Sequence, residues 1–192
     1  MMLALLAAGQ SRRFGDQDKL TEPLGGRMLG LHAAATAADV SFTGKLVIGS
    51  PDHGCAAQWT ALGYQIIANE DAAQGQATSV RIAAAQAIES GADALCIMLA
   101  DMPFVTREHI DRLIAAFEQS GGTVASARRG QAMPPAIFSF ASLGRLMALD
   151  GDSGARGLLA DARMVAGDDR LLMDVDTAED LARANDIFNR TR

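Results

Sequence analysis

Cysteine is scarce in this chain: Cys55 and Cys96 are the only two, and Cys96 stands inside an apolar run. Two thiols so placed form neither a disulfide framework nor a thiolate metal cluster, and they point to a reducing, cytoplasmic setting. No apolar run approaches the roughly 20 residues needed to cross a bilayer. The opening Met2-Leu3-Ala4-Leu5-Leu6-Ala7-Ala8 has no basic stretch before it and passes straight into a glycine-bearing loop. It is expected to be a buried strand, not a secretion signal. Positive charge is also in deficit: the net charge is −6 with a pI near 5.0, so neither nucleic acid nor an anionic membrane is an expected partner. A polyanionic ligand would need a local basic site, which makes each early Lys and Arg informative. Linkers rich in Pro or Ser, internal repeats and low-complexity tracts are missing, and 192 residues suit one domain spanning 1–192.

What is present is an alternation of apolar β-type runs with alanine-rich helical stretches. Leu3 to Leu6, Lys45 to Gly49, Tyr64 to Ala68 and Ala94 to Leu99 read as strands, with Thr123 to Ala127, Ala136 to Phe138 and Leu171 to Val175 as weaker candidates. The first four are almost continuously hydrophobic, the pattern of strands buried on both faces of a mainly parallel sheet. Helical patterns cover Leu29 to Ala38, His53 to Leu62, Thr78 to Ser90, Arg107 to Gln119, Phe140 to Leu149 and Thr177 to Asn189. Thr106 and the pair Asp176-Thr177 are candidate caps, the latter before an acidic first turn of Glu179 and Asp180. The expected fold is α/β with three layers and a mixed, mainly parallel sheet.

The most informative segment is Leu6-Ala7-Ala8-Gly9-Gln10-Ser11-Arg12-Arg13-Phe14-Gly15, followed by Lys19. Small residues after a buried strand let the backbone approach a ligand closely, with N–H groups aimed at phosphate oxygens. Arg13 would add a planar fork of donors and Lys19 a mobile point charge. Neither a Walker A loop nor a G-x-G-x-x-G fingerprint is present, and a strand-to-helix turn with solvated arginines is the plain alternative. A second signal is Leu95-Cys96-Ile97-Met98-Leu99-Ala100-Asp101-Met102-Pro103, an apolar strand ending in a carboxylate. Ligands of open α/β sheets collect at the carboxyl ends of strands, and Mg²⁺ takes one or two carboxylates plus substrate phosphates. Asp174-Val175-Asp176-Thr177-Ala178-Glu179-Asp180 offers another such carboxylate in Asp176, which could equally be a helix cap.

Two further turns combine small residues with polar ones. Asn69 to Arg81 opens a helix through Gly75, with hydroxyls at Thr78 and Ser79, for which ordinary capping is the alternative. Gly151-Asp152-Ser153-Gly154-Ala155-Arg156 leads into another helical pattern, where an Asp152–Arg156 pair bracing the fold competes with a binding role. His32, His53 and His109 lack metal-ligand spacing and read as structural.

These segments together resemble the MobA-like nucleotidyltransferases along nearly the whole chain. The first loop is similar to L-A-A-G-x-S-x-R-x-G-x-x-K, with one extra residue before Lys19, and Lys19-Leu20, Pro23 and Gly25 to Leu29 continue the pattern. Leu99-Ala100-Asp101-Met102-Pro103 and Asp174 to Asp180 resemble the two metal-binding elements, with Ala178 where proline is usual; Gly151 to Arg156 resembles G-D-x-G-A-R. The resemblance implies a Rossmann-like nucleotide-diphospho-sugar transferase fold and a Mg²⁺-dependent enzyme. Ala8, where guanylyltransferases usually carry a second glycine, looks more like the molybdenum cofactor cytidylyltransferases. It implies CTP and a molybdopterin-type acceptor as substrates, and a molybdenum hydroxylase as recipient of the product. Arg13, Lys19 and Asp101 are then the expected catalytic residues, and Asp101 and Asp176 the metal ligands. Nucleotide contacts are expected from Leu6, Ala7, Ala8, Gly9, Ser11, Arg13, Lys19, Asn69, Gly75, Ser79 and Asp101. Acceptor contacts are expected from Pro135, Asp152, Gly154 and Arg156. The segment Gln131 to Phe138 departs from the G-H-P-V-L-F expected there, since it has no histidine. Transfer to another phosphorylated metabolite, use of GTP, and a non-catalytic cofactor carrier are the alternatives.

Overall fold

The computed structural model describes residues 1–9, 14–15, 17–149 and 156–190, with the side chain of Arg156 outside that set. In chain order the strands and helices are β1 (Met2–Leu6), β2 (Pro23–Leu24), β3 (Arg27–Met28), α1 (His32–Ala38), β4 (Gly44–Gly49), α2 (Ala56–Ala61), β5 (Gln65–Ala68), α3 (Gln76–Glu89), β6 (Ala94–Leu99), α4 (Arg107–Ser120), β7 (Val124–Arg128), β8 (Gln131–Ser139), α5 (Phe140–Met147), β9 (Arg163–Ala166) and α6 (Ala178–Arg190). Seven strands form one sheet in the order β5-β4-β1-β6-β8-β7-β9, and β2-β3 is a separate ribbon. All neighbours in the large sheet are parallel except the two pairs made by β8, which runs against β6 and β7.

Side-chain parity along β1 builds the three layers. Leu3 and Leu5 point into a core shared with Trp59, Ile110, Leu113 and Ala184 of α2, α4 and α6. Met2, Ala4 and Leu6 point into the opposite core, shared with Val80, Ala83, Ala84 and Ala87 of α3 and Leu143 and Leu146 of α5. Because successive strand residues face opposite sides, a strand covered on both faces must be apolar at every position, and all five β1 residues are buried.

The structure corrects the sequence reading in three places. Leu171 to Val175 is not a strand; it is a turn and extended segment whose Leu172, Met173 and Val175 plug the core. Its apolar run reflects that burial without a neighbouring strand. Strand β9 was missed because three of its four residues are exposed, so it lacks the buried-run signature. Strand β8 extends well beyond Ala136 to Phe138. Its ladder with β7 breaks between Ala125 and Ser126, opposite Pro134 and Pro135, neither of which has an amide hydrogen to donate.

Among the described residues no helix is long and apolar enough to cross a membrane.

Candidate active site

The parallel strands end at one edge, and the elements singled out by the sequence gather there. Beyond β1, the Ala7 amide bonds to the Ile48 carbonyl at 2.9 Å, so the chain stays in register until Ala8 and Gly9 leave the sheet. Among the described residues no atom lies within 4 Å of a Cβ added at Gly9. Ser11 and Arg13, the next expected nucleotide contacts, lie outside the described residues, as do Asp152, Gly154 and the side chain of Arg156 on the acceptor side.

Lys19 opens a short 3₁₀ turn, Lys19–Thr21, capped by Asp18, whose side chain accepts from the Leu20 amide at 3.0 Å. The other Asp18 oxygen lies 2.6 Å from His53 Nε2. The Cys55 amide donates to His53 Nδ1 at 3.0 Å, which leaves the ring proton on Nε2, facing Asp18. Burial opposes ionisation of Asp18, but the His53 contact, the Leu20 amide and the Lys19 charge outweigh it and hold the carboxyl below its usual range. His53 in turn stacks on Trp59, whose indole donates to the Gly30 carbonyl at 2.9 Å. The turn carrying Lys19 is thereby anchored to the core.

Lys19 is 7% exposed, and its ammonium donates to Asp101 Oδ2 at 2.6 Å and Asp176 Oδ1 at 2.8 Å. Burial opposes the charged amine; Asp101 and Asp176 outweigh that cost and raise its pKa. For Asp101 burial dominates and raises the pKa, with the Lys19 charge opposing and the Asp176 and Asp174 charges adding to the rise. Its Oδ1 is buried and, among the described residues, has no hydrogen-bond partner.

Backbone bonds bring the two carboxylates together. The β1–β6 ladder runs on past the strand through the Ala100 amide to the Leu6 carbonyl at 3.1 Å, which fixes Asp101 at the sheet edge. The Asp101 carbonyl then accepts from the Val175 amide at 3.0 Å, which sets Asp176 beside it. Asp176 does not cap α6. Thr177 does: its hydroxyl accepts from the Asp180 amide at 3.1 Å, and Asp180 Oδ2 accepts from the Thr177 amide at 3.0 Å. This reciprocal capping box also receives the Asp176 amide at 3.3 Å and leaves the Asp176 carboxylate to Lys19.

Two carboxyl groups converge on one ammonium, and among the described residues one Asp101 oxygen is left without a hydrogen-bond partner. Among the described residues no three His, Cys, Asp or Glu side chains converge as a metal cage. The oxygen donors of Asp101 and Asp176 instead fit a Mg²⁺-type ion, which takes one or two carboxylates and completes its shell with substrate phosphates and water.

Asn69 and Ser79 are brought together, but in contact with each other: Asn69 Nδ2 donates to Thr78 Oγ1 at 2.9 Å and Ser79 Oγ at 2.8 Å. Gly75, with φ of +108°, turns the chain into α3, a conformation that disfavours a side chain. A cleft of about 580 Å³ opens over the other end of the same edge, its floor including Leu6 and Leu99 and its walls Pro134, Met164, Arg128 and Asp174. Pro134 faces the cleft, whereas Pro135 is buried behind it with its carbonyl accepting from Ser126 Oγ at 2.8 Å.

Sequence reasoning did not single out Asp18 or Arg128 and read Asp174 only as part of the 174–180 element, whereas His53 is structural, as expected. The one available signal for Arg128 was the Arg129-Gly130 pair, which forms a two-residue turn with φ of 52° and 78° between β7 and β8. His32 and His109 sit away from the carboxylates, His32 Nε2 being 2.9 Å from the Leu24 carbonyl and His109 Nε2 2.8 Å from Ser126 Oγ.

A mixed sheet with a glycine-bearing loop after its first strand and paired carboxylates at its carboxyl edge is the architecture of nucleotide-diphospho-sugar transferases. The chain belongs to the MobA-like NTP transferase domain family, whose model it matches over residues 3–170. The purine catabolism protein PucB of Bacillus subtilis (strain 168) is 33% identical over 190 residues, 91% of this chain and 91% of its own. A molybdenum cofactor guanylyltransferase of Cereibacter sphaeroides is 31% identical over 193 residues, 97% of this chain and 96% of its own. A Mycobacterium tuberculosis H37Rv protein crystallised in complex with manganese superposes with a TM-score of 0.77 at 24% identity, over 96% of this chain and 97% of that one.

Proposed function

We propose that this protein transfers CMP from CTP to the terminal phosphate of molybdenum-loaded molybdopterin, releasing pyrophosphate and forming molybdopterin cytosine dinucleotide. One domain, 1–192, does this in the cytoplasm, and a molybdenum hydroxylase receives the product. The observation that carries the reading is the Lys19–Asp101–Asp176 cluster at the carboxyl edge, with bonds of 2.6 and 2.8 Å. A molybdopterin acceptor is supported by the relative named molybdenum cofactor guanylyltransferase. Cytosine is supported by Ala8 in place of a second glycine in the first loop.

In this reading Asp101 and Asp176 hold a Mg²⁺ ion, which when bound neutralises phosphate charge and orients the α-phosphate. Lys19 turns from the carboxylates to the oxygens of the triphosphate and stabilises the charge that builds on departing pyrophosphate. Arg13 and the backbone N–H groups of Gly9 and Ser11 share that task. Asn69, Gly75 and Ser79 shape the base and ribose side, with Leu6, Ala7 and Ala8 beneath. Pro135, Asp152, Gly154 and Arg156 belong to the acceptor side, with Pro135 acting through its neighbour Pro134. The acceptor phosphate is already ionised at neutral pH, so its oxygen attacks the α-phosphorus without a protein base. One P–O bond forms as the bond to pyrophosphate breaks, and rate is gained by positioning and electrostatics.

Guanylyl transfer is the second reading, favoured by the names of the 31% identical relatives. Incubation with equimolar CTP and GTP, Mg²⁺ and molybdenum-loaded molybdopterin, followed by mass spectrometry, decides between them. The cytosine dinucleotide is the expected product. The guanine dinucleotide as main product establishes the second reading, and pterin recovered unchanged removes both in favour of a carrier or another acceptor.

A further inference from the structure

Resting on the nucleotidyl-transfer reading, we infer that Arg128 anchors the terminal phosphate of the acceptor and makes the cleft selective for a phosphorylated ligand. Arg128 is the last residue of β7, held at the active edge by the Arg129-Gly130 turn. Among the described residues lining the cleft it is the one cation, and Asp174 the one anion. Met133, Pro134 and Met164 supply apolar wall that suits a flat ring.

The guanidinium is fixed and yet loosely paired. Its Nη1 donates to the Leu172 carbonyl at 2.7 Å, which sets its plane, while Nη2 stands 3.6 Å from Asp174 Oδ1, too long for a good hydrogen bond. The side chain is 31% exposed, so its remaining donors reach the cleft. Of the five N–H groups of an arginine, those two contacts engage only two, and a phosphate matches the fork better than a carboxylate at that distance. Leu172 and Asp174 belong to the segment whose Val175 amide bonds to Asp101. An acceptor phosphate on Arg128 is therefore held by the same short segment that positions Asp176, next to the place where the α-phosphate reacts. A purely structural brace would give the same Leu172 bond but no preference for a phosphorylated ligand, and that difference is measurable.

The test is calorimetric titration of the full chain, saturated with a non-hydrolysable CTP analogue, by molybdopterin and by its dephosphorylated form. The wild type is expected to prefer the phosphorylated ligand, and Arg128→Ala to weaken its binding roughly 10- to 100-fold, the scale of a charge-assisted bidentate contact. The same substitution leaves dephosphorylated pterin and the CTP analogue bound as before, and Arg128→Lys recovers part of the loss. Arg128→Ala binding the phosphorylated pterin like the wild type overturns the inference, and so does an equal loss for both pterins, which marks a brace. Failure of the wild type to bind either pterin overturns the acceptor reading first, and the role of Arg128 with it.

Discussion

The two ends of the sheet's carboxyl edge are built differently. Over β4, β1 and β6 the strands are parallel and buried, and they deliver Gly9 and Asp101 through backbone bonds that continue past the strand ends, while Lys19 is set by its own turn, anchored through Asp18 and His53. Over β8, β7 and β9 the ladder is mixed and interrupted, the outer strand is largely exposed, and the charged groups lining the cleft among the described residues are Arg128 at the end of β7 and Asp174 of the 171–176 segment. The first region places its described charged groups through buried strands and a braced turn. The second is a cleft whose shape depends on one hairpin and on the buried contacts beneath it. Chemistry common to a family belongs in the former, and selection of an acceptor in the latter.

That contrast can be broken experimentally. The largest effect is expected at Asp101. Asp101→Asn should lower nucleotide-dependent pyrophosphate release by about 10³-fold or more while the chain stays folded by circular dichroism, because the carboxylate proposed to hold the metal is lost. Turnover within about tenfold of the wild type would show that this carboxylate holds no catalytic cation.

Beneath the acceptor side lies His109, buried, with its pKa pushed down to about 4 by desolvation and the Arg112 charge. Ser126 gives its hydroxyl proton to the Pro135 carbonyl, so it can only accept from His109, which must carry its proton on Nε2. The Nδ1 atom is buried and has no hydrogen-bond partner among the described residues, so protonating it buries an uncompensated donor. The folded pKa lies below the ordinary value near 6.5, so the unfolded chain binds more protons between the two. Stability is therefore held at neutral pH and declines as the pH falls from about 6.5 to about 4, by up to about 3 kcal/mol. Urea unfolding across that window should show the decline in the wild type and a flatter profile in His109→Gln. Hydrogen exchange at pH 5 should loosen β7 and β8 before β1, and simultaneous loosening would erase the proposed difference between the two regions.

Lys19→Ala should slow transfer by roughly 10²-fold with weaker binding of the triphosphate, as expected for one preorganised charge on a leaving group. An unchanged kcat removes the ammonium from the mechanism. The smallest effect is at Asp180, whose carboxylate closes the cap that aims Asp176. Asp180→Ala should cost about 1 kcal/mol of stability in urea unfolding and raise the Mg²⁺ concentration needed for half-maximal rate. A loss of stability with no change in metal requirement would separate the cap from the site.

Most of the first region was legible in the residues. Leu3 to Leu6 and Ala94 to Leu99 are apolar at nearly every position, and a strand buried on both faces leaves that trace. Lys19 and Asp101 follow such strands with small residues or proline nearby, so their placement at the edge was readable, although their mutual bond of 2.6 Å was not. Asp176 was ambiguous because a cap and a ligand share one residue type; only the hydrogen bonds of Thr177 and Asp180 separate the roles. The second region left fainter traces. Pro134 and Pro135 interrupt the pattern of β8, β9 buries a single residue, and Leu171 to Val175 mimics a strand while packing as a plug. Arg128 reaches the site through a hairpin register whose one local trace is the Arg129-Gly130 turn.

The most direct measurement is pyrophosphate release by the wild-type chain with Mg²⁺ and CTP, with and without molybdenum-loaded molybdopterin. Release that requires metal, nucleotide and pterin together, and that disappears in Asp101→Asn, is the predicted result. A folded wild-type chain that releases none with CTP, GTP, ATP or UTP in the presence of the pterin would contradict nucleotidyl transfer to this acceptor.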